Sequence, residues 1–302
     1  MPLTALFRDL LPREAIQENV PLCSYTTMRV GGPADVMLSP STEEELTAVL
    51  DCIRQENIPW LIIGNGSNLL VSDEGFRGVV LRIGKNYGKI SCEGNRVFAQ
   101  SGAMLSVLAK AAEENSLSGL EFASGIPGSV GGGIYMNAGA YGGEISQVLS
   151  KARVWINGEI QEWPAARCGF GYRHSALMEE GAVALSAEFT LIPGIQSEIA
   201  ARMADLNQRR REKQPLQYPS CGSFFKRPAG HFAGTLIEEA GLKGYAVGDA
   251  QVSELHAGFI INRGHATAGQ VYQLMRHVQK TVMEKSGVML EPEVRLIGHF
   301  ES

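Results

Sequence analysis

The chain has 302 residues, of which 44% are hydrophobic and 20% are charged, and its formal net charge is −5. This composition is ordinary for a globular protein with room for two or three domains, and the negative charge argues against general nucleic-acid binding. No apolar stretch approaches the ~20 residues that a transmembrane helix needs, so the sequence predicts no membrane partner.

The first residues predict a short amphipathic helix rather than a signal peptide. Charged residues interrupt any apolar core of a leader there. The apolar positions that fit one helix face are Leu3, Leu6, Phe7, Leu10 and Leu11. Five scattered cysteines without CxxC spacing indicate reduced thiols and a cytoplasmic location. The histidines lack the spacing of metal ligands, so no metal is expected.

Residues 20–84 alternate short strands with one helix. Ser41 to Glu45 predicts a capped, acidic helix start, and the apolar spacing then continues to Ile53, before Pro59. Strands are predicted at 60–63, 69–71 and 79–83. The polar loop between the first two, Gly64-Asn-Gly-Ser-Asn68, places several amides at one edge of a sheet. It is not a Rossmann fingerprint, because the third glycine and the following helix are missing, and no P-loop occurs in the chain.

Between residues 85 and 196 the patterns are mostly those of β-strands. Strands are predicted at 96–100, 152–156 and 183–191, and a helix at 104–115. The segment from Ser124 to Gly143 contains eight glycines among twenty residues, with apolar residues interleaved. Such a segment is costly unless its backbone must enter unusual conformations or lie against a bulky ligand. We interpret it as a cradle for a diphosphate or a flat ring system, and tight turns between short strands are the alternative.

The remaining residues predict a smaller α/β domain. Helices are expected at 197–213, 232–240 and 267–286, and strands at 256–262 and 288–297. The predicted domains are a first subdomain at 1–84, a second at 85–196 and a third domain at 197–289. The final strand within 290–302 is expected to return to the first subdomain.

Three further segments combine residue types that a purely structural role does not require. Arg173 lies among glycines and aromatics in CGFGYRH, where a planar guanidinium suits a carboxylate; stacking on Tyr172 at the surface is the alternative. Ser223 precedes two phenylalanines in CGSFFKRP, where its hydroxyl could donate a proton or merely cap a turn. Glu293 lies in LEPEVRLIG, where Pro292 indicates an edge strand or the start of a strand. Charges on the solvent-facing side of that strand are the alternative to a functional role.

Together these segments resemble the UDP-N-acetylenolpyruvoylglucosamine reductase family of flavoenzymes, which serve bacterial cell-wall precursor synthesis. The resemblance runs from YTTMRVGGP at 25–33 to LEPEVRLIG at 290–298 and includes IGNGSNLLV, SGIPGSVGGGIYMNAGAYG, GFGYRHS and CGSFFKRP. It implies an α+β fold: a two-part FAD-binding module of the vanillyl-alcohol-oxidase (PCMH) type plus a smaller α/β substrate-binding domain.

The resemblance also implies which residues bind the cofactor. FAD would be non-covalent, because the first glycine loop contains neither histidine nor cysteine. NADPH would be the hydride donor. The implied FAD contacts are Gly64, Asn65, Gly66, Ser67, Asn68, Leu69, Ile126, Pro127, Gly128, Ser129, Gly131, Gly132 and Asn137.

The family reaction reduces an enolpyruvyl ether to a lactyl ether and needs a fixed cation at the carboxylate and a proton donor at the adjacent carbon. By resemblance, Arg173 supplies the cation, Ser223 the proton, and Glu293 helps to polarise the developing acid enolate. The substrate diphosphate would bind Arg210, Lys213, Lys226 and Arg227. An exposed basic helix end is the alternative for the first two.

The chain departs from longer family members in one respect. They insert a loop with a substrate-capping tyrosine after the region of Arg173, and this chain resembles the shorter form without it. Two other functions are open at this stage: an FAD-dependent oxidase on the same module, acting on a sugar or alcohol, and a nucleotide-sugar-binding regulator without chemistry. Nothing in the sequence requires more than a monomer.

Overall fold

The computed structural model describes residues 2–300, so Met1 and positions 301 and 302 of the predicted last segment lie outside the described residues. The α-helices are α1 (Glu43–Gln55), α2 (Leu105–Glu114), α3 (Val130–Tyr135), α4 (Ala176–Glu180), α5 (Gln196–Lys213), α6 (Ala233–Glu239) and α7 (Ala268–Ser286).

Nineteen strands lie in the described residues. They are β1 (Ile16–Pro21), β2 (Pro33–Leu38), β3 (Trp60–Ile63), β4 (Leu69–Val71), β5 (Phe76–Arg82), β6 (Ile90–Glu93), β7 (Arg96–Gln100), β8 (Leu117–Ser118), β9 (Gly139–Ala140), β10 (Gly143–Glu144), β11 (Leu149–Ile156), β12 (Glu159–Pro164), β13 (Val183–Thr190), β14 (Ile192–Pro193), β15 (Ser220–Ser223), β16 (Ala246–Val247), β17 (Ala250–Val252), β18 (Phe259–Asn262) and β19 (Arg295–Ile297).

The chain forms two compact units. The first contains Val36–Asn65 and Gly78–Arg210 together with the segment before Asn19. The second contains Asn19–Asp35, Gly66–Arg77 and the chain from Arg211 onward. Four of the strands form a mixed-order sheet, β1-β2-β5-β3, in which β3 and β5 are parallel.

The first unit is built on an antiparallel five-stranded sheet with the order β12-β11-β13-β7-β6. One core, which includes Leu105, Leu108 and Phe189, joins α2 to this sheet. Alternating side chains of the same sheet, among them Trp155 and Leu185, pack with α1 in a second core. Because side chains of a strand alternate between faces, one sheet serves both cores.

The second unit has its own core. An antiparallel sheet with the order β15-β18-β17-β16 packs against α6 and α7. The last strand, β19, pairs in parallel with β4, so Arg295 lies opposite Leu69.

Most predicted elements are confirmed, and their caps explain why. Thr42 caps α1 by accepting a hydrogen bond from the Glu45 amide at 3.1 Å. Thr267 and Gln270 form a capping box at the start of α7, and Gly287 ends that helix at φ +71°.

Three predicted elements are shorter than expected. The predicted amphipathic helix near the amino terminus is a single 3-10 turn, Leu3–Phe7, although Phe7 and Leu11 are buried as predicted. The strand predicted at 256–262 begins at Phe259, because His256 Nδ1 accepts from the Gly258 amide in a turn. The last strand covers only Arg295–Ile297, since Pro292 has no N–H for a regular ladder.

The start of α7 predicts a measurable stability effect. Asp73 accepts hydrogen bonds from the amides of Ala268 at 2.9 Å and Gly269 at 2.8 Å. Replacing Asp73 by alanine leaves two helix-terminal donors without their acceptor, so we expect the free energy of unfolding to fall by about 1–2 kcal/mol. Urea denaturation of Asp73→Ala measures this. The neighbouring variant Glu74→Ala is the control, and an equal loss in both would contradict the capping role.

Candidate functional site

The two glycine-rich segments meet in the first unit. Asn65 Nδ2 donates to the carbonyl of Pro127 at 2.7 Å. A Cβ placed on Gly64 would lie only 2.2 Å from Ser129 Oγ. Ser129 in turn caps α3 by accepting from the Gly132 amide at 3.3 Å. The loop at 64–65 and the segment at 127–132 therefore form one continuous surface.

Part of the long glycine segment is needed for packing within the protein. A Cβ on Gly125 would lie 2.6 Å from Asn207 Oδ1 and 2.8 Å from Arg210 Nη1, both on α5. Residues 139–144 form the β9–β10 hairpin, so the alternative interpretation, tight turns between short strands, holds there. The segment as a whole is therefore not only a ligand cradle.

Asn137 is engaged inside the protein. It is 1% exposed and has a left-handed backbone with φ +42°. Its Nδ2 donates to the Gly171 carbonyl, and its Oδ1 accepts from the Ser146 amide, both at 3.0 Å. Both ends of the amide are thus used to join the segment after α3 to two neighbouring loops.

Arg173 lies in a tight turn of the first unit. Gly171 and His174 pair across this turn, and Arg173 has φ +53°. Its Nη2 donates to the Gly139 carbonyl at 3.2 Å, and its Cζ lies 5.1 Å from the centre of the Tyr172 ring. The stacking that we considered as an alternative is present, together with a hydrogen bond that orients the guanidinium toward the β9–β10 hairpin.

Arg210 lies near the end of α5 and is partly withdrawn from solvent. Burial lowers the pKa of its guanidinium, and the nearby Tyr141 phenol acts in the opposite direction. A desolvated cation favours an anionic partner. Lys213, the last residue of α5, is exposed and belongs to the second unit.

Ser223 lies at the end of β15 in the second unit and is exposed. Its hydroxyl makes no hydrogen bond to any other residue in the range 2–300, which leaves it available to a ligand. Two residues earlier, complete burial raises the pKa of the Cys221 thiol to about 12. That thiol therefore stays protonated and does not act as a nucleophile beside Ser223.

The segment that carries Glu293 pairs with the segment after Ser223. The Glu293 amide donates to the Phe224 carbonyl at 2.9 Å, and the Lys226 amide donates to the Glu291 carbonyl at 2.8 Å. Two of the predicted catalytic residues, Ser223 and Glu293, thus lie in segments of the second unit that are hydrogen-bonded to each other next to Ser223.

The two remaining predicted substrate cations have protein partners in the second unit. Lys226 Nζ forms an ion pair with Glu291. The guanidinium of Arg227 lies 3.9 Å from the centre of the exposed Phe232 ring. The charge of Lys226 is therefore already neutralised by Glu291, whereas Arg227 forms a flat surface with the Phe232 ring.

Sequence reasoning missed one supporting residue, Thr27. Its Oγ1 donates to the Ser220 carbonyl at 2.6 Å, and its amide donates to the Gly66 carbonyl at 3.2 Å. Thr27 therefore joins the first glycine loop to the strand that carries Ser223. The sequence held no signal for this, because the hydroxyl and the Ser220 carbonyl are 193 positions apart.

Comparisons with known proteins agree with this arrangement. Residues 34–162 match a family described as an FAD binding domain, and residues 214–297 match the C-terminal domain of UDP-N-acetylenolpyruvoylglucosamine reductase. The enzyme of that name from Clostridium novyi (strain NT) is 50% identical over 291 residues, which cover 96% of this chain and 94% of the relative. The one from Streptococcus uberis is 50% identical over 288 residues, with 95% of both chains covered.

A solved structure supports the same conclusion. The crystal structure of the reductase from Thermus caldophilus superimposes with a TM-score of 0.81 at 37% identity, covering 94% of this chain and 98% of that one. The chain belongs to the UDP-N-acetylenolpyruvoylglucosamine reductase family. The resemblance and the predicted fold class, an FAD-binding module followed by a reductase carboxyl-terminal domain, are confirmed.

Membership of the reductase family defines the chemistry. The chain is an FAD-dependent oxidoreductase, a UDP-N-acetylmuramate dehydrogenase. It reduces the enolpyruvyl ether of UDP-N-acetylglucosamine enolpyruvate in peptidoglycan precursor synthesis, with NADPH as the hydride donor of the family. The oxidase and regulator alternatives are set aside.

The first glycine loop of this reductase fits a diphosphate-containing cofactor. Within residues 2–300, no acceptor is found for four consecutive backbone amides, those of residues 65–68. Gly66 among them is buried, where an unpaired amide is costly. Phosphate oxygens would satisfy such donors.

The contact between Gly64 and Ser129 gives a prediction about FAD affinity. In Gly64→Ala, Ser129 must rotate away and release the Gly132 amide, which shifts the start of α3. Loss of one such hydrogen bond corresponds to an FAD affinity about tenfold weaker, measured by titrating the apoprotein with FAD. In Gly84→Ala the new methyl group would meet only ordinary contacts at 3.6 Å or more, so this control should bind FAD normally. Unchanged affinity in Gly64→Ala would contradict the cradle.

Proposed function

We propose that Arg173, Ser223 and Glu293 carry the reduction of the enolpyruvyl ether. The observation on which this rests most is the position of Ser223: an exposed hydroxyl without a protein partner in residues 2–300, at the end of β15 and directly before Phe224, whose carbonyl accepts from the Glu293 amide. A proton donor must be accessible to substrate and firmly held, and Ser223 meets both requirements.

The roles follow from the charge that develops during the reaction. The two glycine segments would hold FAD, which would supply the relay of the NADPH hydride to the terminal carbon of the enol ether. Negative charge then develops on the adjacent carbon and its carboxylate. Arg173 stabilises that carboxylate, and the Ser223 hydroxyl gives its proton to the carbon. Glu293 polarises the acid enolate as it forms.

FAD binding is proposed for the residues that the resemblance implies, with the cofactor held non-covalently. The unpaired amides at 65–68 support this for the first loop. Asn137 contributes by holding the loops around the second segment, because its side-chain amide is used at both ends.

For the substrate diphosphate we propose Arg210, Lys213, Lys226 and Arg227. The partly buried position of the Arg210 guanidinium supports the first assignment, because a desolvated cation is stabilised by an anion nearby. Lys226 is the weakest of the four as an anion ligand, because Glu291 already neutralises it.

The proposal extends to organisation and location. The division into subdomains 1–84 and 85–196 and a substrate domain 197–289 remains a prediction, as does a monomeric protein without nucleic-acid or membrane partners. A cytoplasmic location is supported by the free state of all five cysteines among residues 2–300. In the same range, the structure has no helix that is both long and apolar enough to cross a membrane.

One experiment tests the reaction directly. Under anaerobic conditions, the flavin absorbance of the purified holoprotein should bleach with NADPH and return on addition of UDP-N-acetylglucosamine enolpyruvate. Return only on exposure to air would instead indicate an oxidase. Absence of flavin bands after FAD addition would contradict the assignment of both glycine segments.

A further inference from the structure

We infer that Asn68 is a positioning residue for Glu293, acting through the backbone of the segment that carries this glutamate. This inference rests on the proposed role of Glu293 in the reaction. It gives Asn68 a function distinct from contact with the cofactor, because the side-chain amide of Asn68 is directed at the protein.

Asn68 holds the segment on both sides of Val294. Its Nδ2 donates to the Glu293 carbonyl at 3.1 Å, and its own carbonyl accepts from the Arg295 amide at 3.0 Å. The parallel pairing of β4 with β19 begins one residue later, where Leu69 faces Arg295. The side chain of Asn68 therefore extends this ladder by one hydrogen bond beyond the point where the backbone turns into the glycine loop.

Hydrogen bonds engage both polar groups of the Glu293 backbone. Its amide donates to the Phe224 carbonyl at 2.9 Å, and its carbonyl accepts from Asn68. Pro292, directly before, has no N–H with which to add a bond of its own. Without the Asn68 side-chain amide, the Glu293 carbonyl loses this donor, whereas the Glu293 amide keeps its bond to the Phe224 carbonyl.

A peptide group that loses a hydrogen bond can rotate and displace the side chain beside it. Displacements of about 1 Å in a reacting group can cost as much as 100-fold in rate. The bond between the Glu293 amide and the Phe224 carbonyl remains, so the segment itself should keep its place. Loss of Asn68 should therefore weaken the step that uses Glu293 more than it weakens the fold.

The test compares the two half-reactions in the holoprotein. In Asn68→Ala and in the nearly isosteric Asn68→Asp, flavin reoxidation by the enolpyruvyl substrate should slow about 10-fold to 100-fold at saturating substrate. Flavin reduction by NADPH, measured per bound FAD, should slow less than reoxidation. Asn95→Ala is the matched control, because Asn95 Nδ2 also donates to a backbone carbonyl, that of Leu191 at 3.3 Å. FAD content and melting temperature are measured for every variant.

Combination with Glu293→Gln separates the possible causes. If Asn68 acts through Glu293, the double variant Asn68→Ala/Glu293→Gln should reoxidise no more slowly than Glu293→Gln alone. Three outcomes would overturn the inference and leave the proposed function intact. The rate losses of the two single variants could multiply in the double variant, both half-reactions could slow equally, or lower FAD content could account for the loss. A normal rate in Glu293→Gln would instead refute the proposed role of Glu293, and the inference with it.

Discussion

Ser223→Ala should reoxidise its reduced flavin with the enolpyruvyl substrate about 10²–10⁴-fold more slowly than the parent protein, which is the range typical of a lost general acid. The hydroxyl is exposed and has no partner among residues 2–300, so its removal leaves no buried group unsatisfied. Flavin reduction by NADPH should be nearly unchanged, because that step needs no proton from Ser223. Anaerobic rapid mixing measures both steps on the same preparation.

Ser220→Ala provides the matched control on the same strand. Thr27 holds this residue through its carbonyl, which the substitution retains, so the strand should keep its place. Equal slowing of both half-reactions in Ser223→Ala would show that the strand is displaced and that Ser223 is not the proton donor.

Arg173→Lys should lower kcat/KM for the enolpyruvyl substrate by about 10²-fold. Lysine keeps the charge but lacks the planar guanidinium. Only the guanidinium can bind a carboxylate while it also donates to the Gly139 carbonyl. The turn itself should survive, because arginine and lysine meet the same cost of the left-handed backbone at this position. Steady-state kinetics with varied substrate give the value.

The control for Arg173→Lys is Arg167→Lys, also in the first unit. Arg167 lies 4.1 Å from the centre of the Trp163 ring and pairs with Glu180, so it has comparable surroundings but no proposed catalytic role. Similar losses in both variants would point to a general effect of removing a guanidinium from this unit. Full activity in Arg173→Lys would show that charge alone suffices at the carboxylate.

Local signals account for the elements that were predicted well. Thr42 and Thr267 mark helix starts by hydrogen bonds that span three residues, and such caps can be read from neighbouring positions. The shortened strand at 295–297 shows the limit of this approach. Alternation of charged and apolar residues from 288 onward predicted a longer strand, but Pro292 and the irregular pairing with Phe225 restrict regular pairing to its end.

The sequence by itself predicted that two separate glycine loops form a cofactor site of neither the Rossmann nor the P-loop type, and its ordered motifs identified the family. Only the tertiary structure decided how individual side chains serve that site. Asn65 binds Pro127 across 62 positions, and Asn68 binds Glu293 across 225. The physical reason is that glycine content and helix caps act through neighbouring residues. A side-chain amide, in contrast, can donate to any carbonyl, and only the folded chain selects which one lies within reach.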